Sequence, residues 1–132
     1  MTATDTTDGG SRRPGEKTIL FVEDELIISM VGSAMIADLG YTVLQASSGA
    51  EALRLLDERP VDLLITDLSM PGMDGAELAR IARDRQPGLP VLVATGYSEL
   101  PSGLDANLSF LRKPYEKSRL QAAIQKALDA PG

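Results

Sequence analysis

From Thr18 onward the chain alternates between short apolar runs and segments with apolar residues at helical spacing. Thr18-Ile19-Leu20-Phe21-Val22 is an uninterrupted apolar run, the pattern of a strand buried on both faces. Between Leu26 and Leu39, Ile27, Met30, Val31, Ala34 and Met35 recur at helical spacing and predict a helix with this stripe as its core face. Gly40 follows where a helix C-cap would stand. Tyr41 to Ala46 reads as a second strand, and Ser48 or Ser47 as the cap of a helix through Leu56, carried by Ala52, Leu53 and Leu56. Pro60 ends that helix.

Val61 to Thr66 is the third predicted strand, with Asp67 at its end. A loop containing Pro71 and Gly72 leads to a helix over about Gly75 to Arg85, with Leu78, Ala79, Ile81 and Ala82 on its apolar side. Pro90 to Thr95 is a fourth strand and Leu108 to Arg112 a fifth. Ser98 to Asn107 lies between them in the place of a helix, but Pro101 and Gly103 interrupt it, so a short or mobile helix is expected. Glu116 to Leu128 predicts the last helix, with Leu120, Ala123, Ile124 and Leu128 inward.

Five strands alternating with five helices imply parallel βαβ units and a sheet covered on both sides. With right-handed crossovers, the expectation is a single-domain α/β fold of flavodoxin-like (βα)5 type. It is a three-layer sandwich with strand order 2-1-3-4-5. Residues 17–130 form this domain, and the polar residues 1–16 read as a disordered tail. Chemistry in such folds gathers beyond the carboxyl ends of the strands, at the switch point between strands 1 and 3.

Composition removes several classes of function. The 132 residues, 43% apolar and 24% charged, suit a globular domain with one core. With no cysteine and no histidine, disulfides, thiolate chemistry, the Ser-His-Asp triad and most zinc sites are excluded. A net charge of −6 argues against a nucleic-acid surface. Neither a signal sequence nor a run long enough to cross a bilayer stands in the chain, so a cytoplasmic location with no membrane contact is expected.

The strand ends carry the remaining polar chemistry. Glu23, Asp24 and Glu25 follow the first strand, Asp67 the third, Thr95-Gly96 closes the fourth, and Lys113-Pro114 follows the fifth. Two carboxylates about 4 Å apart repel by roughly 4 kcal/mol at a surface-like dielectric. Convergence of Glu23, Asp24 and Asp67 therefore calls for a cation or a proton. Oxygen donors without His or Cys suit a hard divalent ion, and Mg²⁺ is favoured because it keeps waters for a phosphate. Such an ion, with Lys113 as a second positive charge and Thr95 as a hydrogen-bond donor, would let an acidic cluster accept a phosphoryl group.

These motifs resemble the receiver domain of two-component response regulators. The resemblance rests on Val22-Glu23-Asp24-Glu25, on Thr66 to Gly75, on Ala94-Thr95-Gly96 and on Leu111-Arg112-Lys113-Pro114-Tyr115, and it covers residues 18–128. It implies that Asp67 is the phosphorylated residue. Asp24 would bind Mg²⁺ directly, Glu23 through water, and the Ser69 backbone carbonyl would complete the protein ligands. Thr95 would be the switch hydroxyl, Lys113 the cation paired with the phosphoryl group, and the Lys113-Pro114 bond cis. Phe110 stands at the position of the switch aromatic, and Ser69 and Tyr97 at two variable positions that tune dephosphorylation. Pro90 to Tyr97 is also similar to the Pro-Phe-x-Phe-Ala-Thr-Gly-Tyr signature of an alphaproteobacterial stress-signalling subgroup, with Val91 and Val93 where that signature has Phe.

Each residue also has a plainer reading. Asp67 suits a turn, Glu23 and Asp24 suit the start of a helix, Thr95 suits a strand, and Phe110 serves equally well as a half-buried core aromatic. The convergence of four strand ends favours function. The expected function is a stand-alone, monomeric receiver that takes its phosphoryl group from a histidine kinase and binds a downstream protein partner. The interaction surface expected is Ser98–Asn107, the fifth strand and the last helix, with Tyr97, Gly96 and Tyr115 beside it. Alternatives are a phosphate sink or relay, or a receiver module of a hybrid kinase. An enzyme on the same fold is disfavoured. A flavin site needs a phosphate-cradling loop where Glu23-Asp24-Glu25 stands, and an aspartate-nucleophile phosphatase has a second Asp where Ser69 stands.

Overall fold

The structure, a computed structural model, describes residues 17–96 and 108–129. Its elements run β1 (Thr18–Val22), α1 (Leu26–Asp38), β2 (Thr42–Ala46), α2 (Gly49–Glu58), β3 (Leu63–Asp67), α3 (Gly75–Arg85), β4 (Val91–Thr95), β5 (Ser109–Arg112) and α4 (Lys117–Asp129). The five strands form one sheet in the order β2-β1-β3-β4-β5, and each neighbouring pair is parallel. This is the expected flavodoxin-like α/β order. The predicted Ser98–Asn107 helix, Tyr97 and the predicted 1–16 tail lie outside the described residues.

The apolar runs make the three inner strands because both faces of each are covered. Every residue of β1, β3 and β4 is buried, whereas edge strand β2 exposes Thr42 and Gln45. One core cluster joins Leu20, Val22, Leu64 and Val93 to Ala52 and Leu53 of α2 and to Leu78, Ala79 and Ala82 of α3. The other joins Ile19, Phe21, Ile65 and Leu111 to Ile36 of α1 and to Leu120, Ile124 and Ala127 of α4. The helices start where local chemistry satisfies their free N–H groups. Ser48 Oγ accepts from Glu51 N–H at 3.1 Å, and Asp74 Oδ1 accepts from Glu77 N–H at 2.9 Å.

α1 departs from its sequence pattern. The stripe predicted as its core face is largely exposed, with Ile27 74%, Met30 57% and Val31 53% accessible, Ala34 exposed and Met35 half-buried. The buried face is Ser29, Gly32, Ser33 and Ile36. The cause is the sheet beneath: a Cβ on Gly32 would lie 2.5 Å from Phe21 Cζ. The large ring of Phe21 fills the space, so only small helix residues fit above it.

Candidate phosphoacceptor site

Strand register brings the predicted residues to one edge. Val22, Thr66, Val93 and Phe110 lie in one row across the sheet. The next position on each strand gives Glu23, Asp67, Ala94 and Leu111, and Asp67 pairs with Ala94. Beyond that, Thr95 pairs with Arg112, and Lys113 N–H donates to Thr95 O at 2.8 Å. The site is thus assembled from backbone register, and its acidic side chains project from ends of β1 and β3 that the fold brings together.

One carboxylate oxygen each from Glu23, Asp24 and Asp67 can be chosen so that all lie within 4.8 Å of one another. Glu23 and Asp67 are buried and Asp24 is exposed. Lys113 Nζ donates to Asp67 Oδ1 at 2.9 Å and to Glu23 Oε1 at 3.1 Å. Glu23 Oε2 accepts from Glu25 N–H at 3.2 Å. Burial raises the Glu23 pKa above its ordinary range. The Glu25 N–H and Lys113 partly offset this, and the charge of Asp67 adds to it. Burial pulls the Lys113 ammonium down, but the hydrogen bonds and charges of Asp67 and Glu23 reverse that, so its pKa is raised. Lys113 is therefore the cation that balances the two buried acids.

The oxygen-only donor set, with two buried carboxylates and one exposed one, fits a hard divalent ion that retains water. Thr95 is buried at the end of β4, and Ser69 is exposed two residues beyond Asp67, at the head of the β3–α3 loop. The Lys113-Pro114 peptide is cis. Tyr115 is half-buried against the α1–α4 core cluster, and Phe110 is half-buried against the α2–α3 cluster. Gly96 is exposed, and a Cβ built on it meets nothing within 4 Å. Beside Lys113 opens a hollow of about 520 Å³, walled by Ile27, Ile28 and Val31 of α1 and by Pro114 and Tyr115.

The family model described as the response regulator receiver domain matches residues 19–125. The chain belongs to this family. Among curated relatives, the receiver is 39% identical over 116 residues to the transcriptional regulatory protein GlrR of Escherichia coli K12, covering 84% of this chain and 26% of GlrR. It is 37% identical over 123 residues to the sensor kinase CckA of Brucella abortus, covering 87% of this chain and 13% of CckA. The receiver thus spans about a quarter or less of these relatives' lengths. Among solved structures, response regulator TrrA of Thermotoga maritima, in complex with Mg²⁺ and BeF, is 30% identical with a TM-score of 0.78. That match covers 85% of this chain and 99% of TrrA.

Two features were missed in the sequence. Lys113 is bound to Glu23 as well as to Asp67, a partner that the expected pairing with a phosphoryl group did not include. The exposed apolar face of α1 was read as core, although Ser29, Gly32, Ser33 and Ile36 form a competing stripe at the same helical spacing.

Proposed function

We propose that Asp67 accepts a phosphoryl group from the phosphohistidine of a histidine kinase and that the added charge resets a protein-binding surface. The observation that carries this reading is the Glu23–Asp24–Asp67 cluster, its oxygens within 4.8 Å of one another and its buried members held by Lys113. An Asp67 carboxylate oxygen attacks the phosphorus. The new O–P bond forms as the N–P bond breaks, and the leaving histidine nitrogen keeps the electron pair. Mg²⁺, held by Asp24 and Asp67 with Glu23 and the Ser69 carbonyl assisting, would neutralise charge on the transferring oxygens. Lys113 moves its hydrogen bond from the Asp67 carboxylate to the phosphoryl oxygens, and Thr95 supplies a hydroxyl donor.

The exposed apolar face of α1 supports the donor's approach. Ile27 and Val31 line the hollow that also contains Lys113, so a helical donor seated on α1 would deliver its phosphohistidine beside Asp67. Phosphorylation replaces the Asp67 carboxylate, of charge −1, with a phosphoryl group of about −1.5 to −2 charge units and three strong acceptor oxygens, and this redraws the bonds of Lys113 and Thr95. The switch then spreads through Gly96, Tyr97 and Phe110 toward Tyr115. We read it as a monomeric cytoplasmic receiver with a protein partner and no nucleic acid. Assignment to the stress-signalling subgroup rests on Pro90, Ala94, Thr95, Gly96 and Tyr97 alone. A relay or hybrid-kinase module is the second reading, favoured by the identity to CckA.

Residue-resolved NMR with Mg²⁺ and beryllofluoride, a phosphoryl mimic, tests the assignment. Shifts are expected at Asp67, Thr95 and Lys113, spreading through residues 96–110. A silent spectrum, or the same response in Asp67→Asn, would sink it.

A further inference from the structure

One contact ties the loop after Asp67 to the start of α2, at some remove from the carboxylates. Gly49 is the first residue of α2 and is buried. A Cβ on it would lie 2.6 Å from Met73 Sδ and 3.1 Å from both Met73 Cβ and Cγ. No ordinary side chain fits there while Met73 keeps its place. Met73 belongs to the β3–α3 loop, the segment that begins with Leu68 and Ser69 directly after the phosphoacceptor.

That loop is held at two points. At its base, Gly75 N–H donates to Leu68 O at 2.8 Å, and a Cβ on Gly75 would stand 2.3 Å from the carbonyl oxygen of Asp67 itself. Nearer its middle, Met73 packs on Gly49 and joins the α2–α3 core cluster with Met70. The turn that presents Gly49 is itself fixed. Ser48 Oγ accepts from Glu51 N–H, while the Glu51 carboxylate accepts from Ser47 N–H at 2.7 Å and Ser47 Oγ at 3.0 Å. The strand that leads into this turn reaches the acidic cluster from its other side, because Glu23 N–H donates at 3.0 Å to the carbonyl of Ala46, the last residue of β2. The end of β2 and the start of α2, joined by this turn, therefore brace the backbone of Glu23 and the loop that follows Asp67.

We propose that Gly49 and Met73 form a positioning pair that fixes the height of the β3–α3 loop and thereby sets the affinity of the Glu23–Asp24–Asp67 cluster for Mg²⁺. Neither residue touches the cation. Gly49 acts through Met73, and Met73 through the backbone of residues 68–70. The proposal rests on the metal-binding reading above.

Mg²⁺ titrations followed by NMR on the unphosphorylated chain test it in wild type, Gly49→Ala, Met73→Ala and the double variant, with thermal melting in parallel. Gly49→Ala is expected to weaken Mg²⁺ at least threefold. The double variant is expected to bind more tightly than Gly49→Ala, because truncating Met73 makes room for the new methyl. Ile36→Val, a core change on the opposite side of the sheet, should lower the melting temperature with no change in Mg²⁺ affinity. Met73→Ala introduces no clash and should itself weaken Mg²⁺ by loosening the loop, which keeps the test open if Gly49→Ala does not fold. Wild-type affinity in both single variants, or a double variant whose losses simply add, overturns the proposal. If wild type itself binds no Mg²⁺, the metal-binding reading fails and the proposal falls with it.

Discussion

Lys113 Nζ sits 2.9 Å from Asp67 Oδ1 while only 21% of the lysine side chain is accessible. It is paired at the same time with Glu23, so its charge is shared between two buried acids. Removing it leaves their charges facing each other. Lys113→Ala is expected to cost about 1–3 kcal/mol in metal-free buffer. The same variant should gain more stability from added Mg²⁺ than wild type does, because the ion then replaces a missing charge. Thermal melts with chelator and with Mg²⁺ read both effects. An unchanged or smaller Mg²⁺ gain in the variant would contradict the charge-balancing role.

Kinase recognition and phosphoryl chemistry are separable on this surface. Ile27 and Val31 are solvent-facing, so Ile27→Asp and Val31→Asp should change stability by no more than about 0.5 kcal/mol. Each should slow transfer from a phosphohistidine donor at least tenfold, equivalent to about 1.4 kcal/mol of lost docking energy. Labelling by acetyl phosphate, which needs no docking surface, should remain within twofold of wild type. Parallel loss with both donors would mean that α1 shapes the site rather than receiving the partner.

The architecture was legible because it depends on pattern. Runs such as Ile19–Val22 and Leu63–Ile65 are buried on both faces, and that leaves little choice but inner parallel strands. The site was legible because register follows from strand ends, so Glu23, Asp67, Thr95 and Lys113 had to share an edge. α1 was not, because periodicity reports two stripes and cannot say which one meets the sheet. The bulk of Phe21 decides it, and that is a contact between elements. The link from Gly49 to Met73 was invisible for the same reason: it joins residues far apart in the chain through shape alone.

The cap on α2 carries a defined pH dependence. Hydrogen bonds from Ser47 N–H and the Ser47 hydroxyl lower the Glu51 pKa below its ordinary value of 4.5. A depressed carboxylate contributes stability above its unfolded pKa and loses it as pH falls through the folded value. Glu51 lies at the surface with 36% of its side chain accessible, so solvent screens the interaction and the effect is small. Glu51→Gln should cost about 0.5 kcal/mol or less at pH 7, with the difference from wild type vanishing toward pH 3. Denaturant unfolding at pH 7, 5 and 3 checks this, and a difference that grows toward acid would reverse the assignment.

Gly96 has neither of the usual structural reasons to be glycine. Its φ lies outside the left-handed region, and an added Cβ would meet open space. Gly96→Ala should therefore stabilise the unphosphorylated receiver by about 0.4–1 kcal/mol through the unfolded chain. On the proposed switching role, the same change should shrink the beryllofluoride response of residues 96–110. Destabilisation in urea titrations would mean that the backbone at this position needs a conformation that alanine resists.

The buried face of α1 makes opposite predictions for adjacent residues. Gly32→Ala drives a methyl to within 2.5 Å of the Phe21 ring and is expected to cost about 1–3 kcal/mol by overpacking. Phe21→Leu in the same chain should recover part of that loss, because the smaller side chain vacates the contested space. Ser33 next to it buries an Oγ that has no hydrogen-bond partner. A hydroxyl desolvated without compensation is a cost, so Ser33→Ala should stabilise by about 1 kcal/mol. Both residues are small and lie on the same turn of one helix, so a rule based on residue size would treat them alike. Equilibrium unfolding of the two variants should move in opposite directions if Phe21 limits how closely α1 approaches the sheet. If Ser33→Ala destabilises instead, its hydroxyl helps to hold the helix, and if Gly32→Ala costs nothing, Phe21 does not limit the approach.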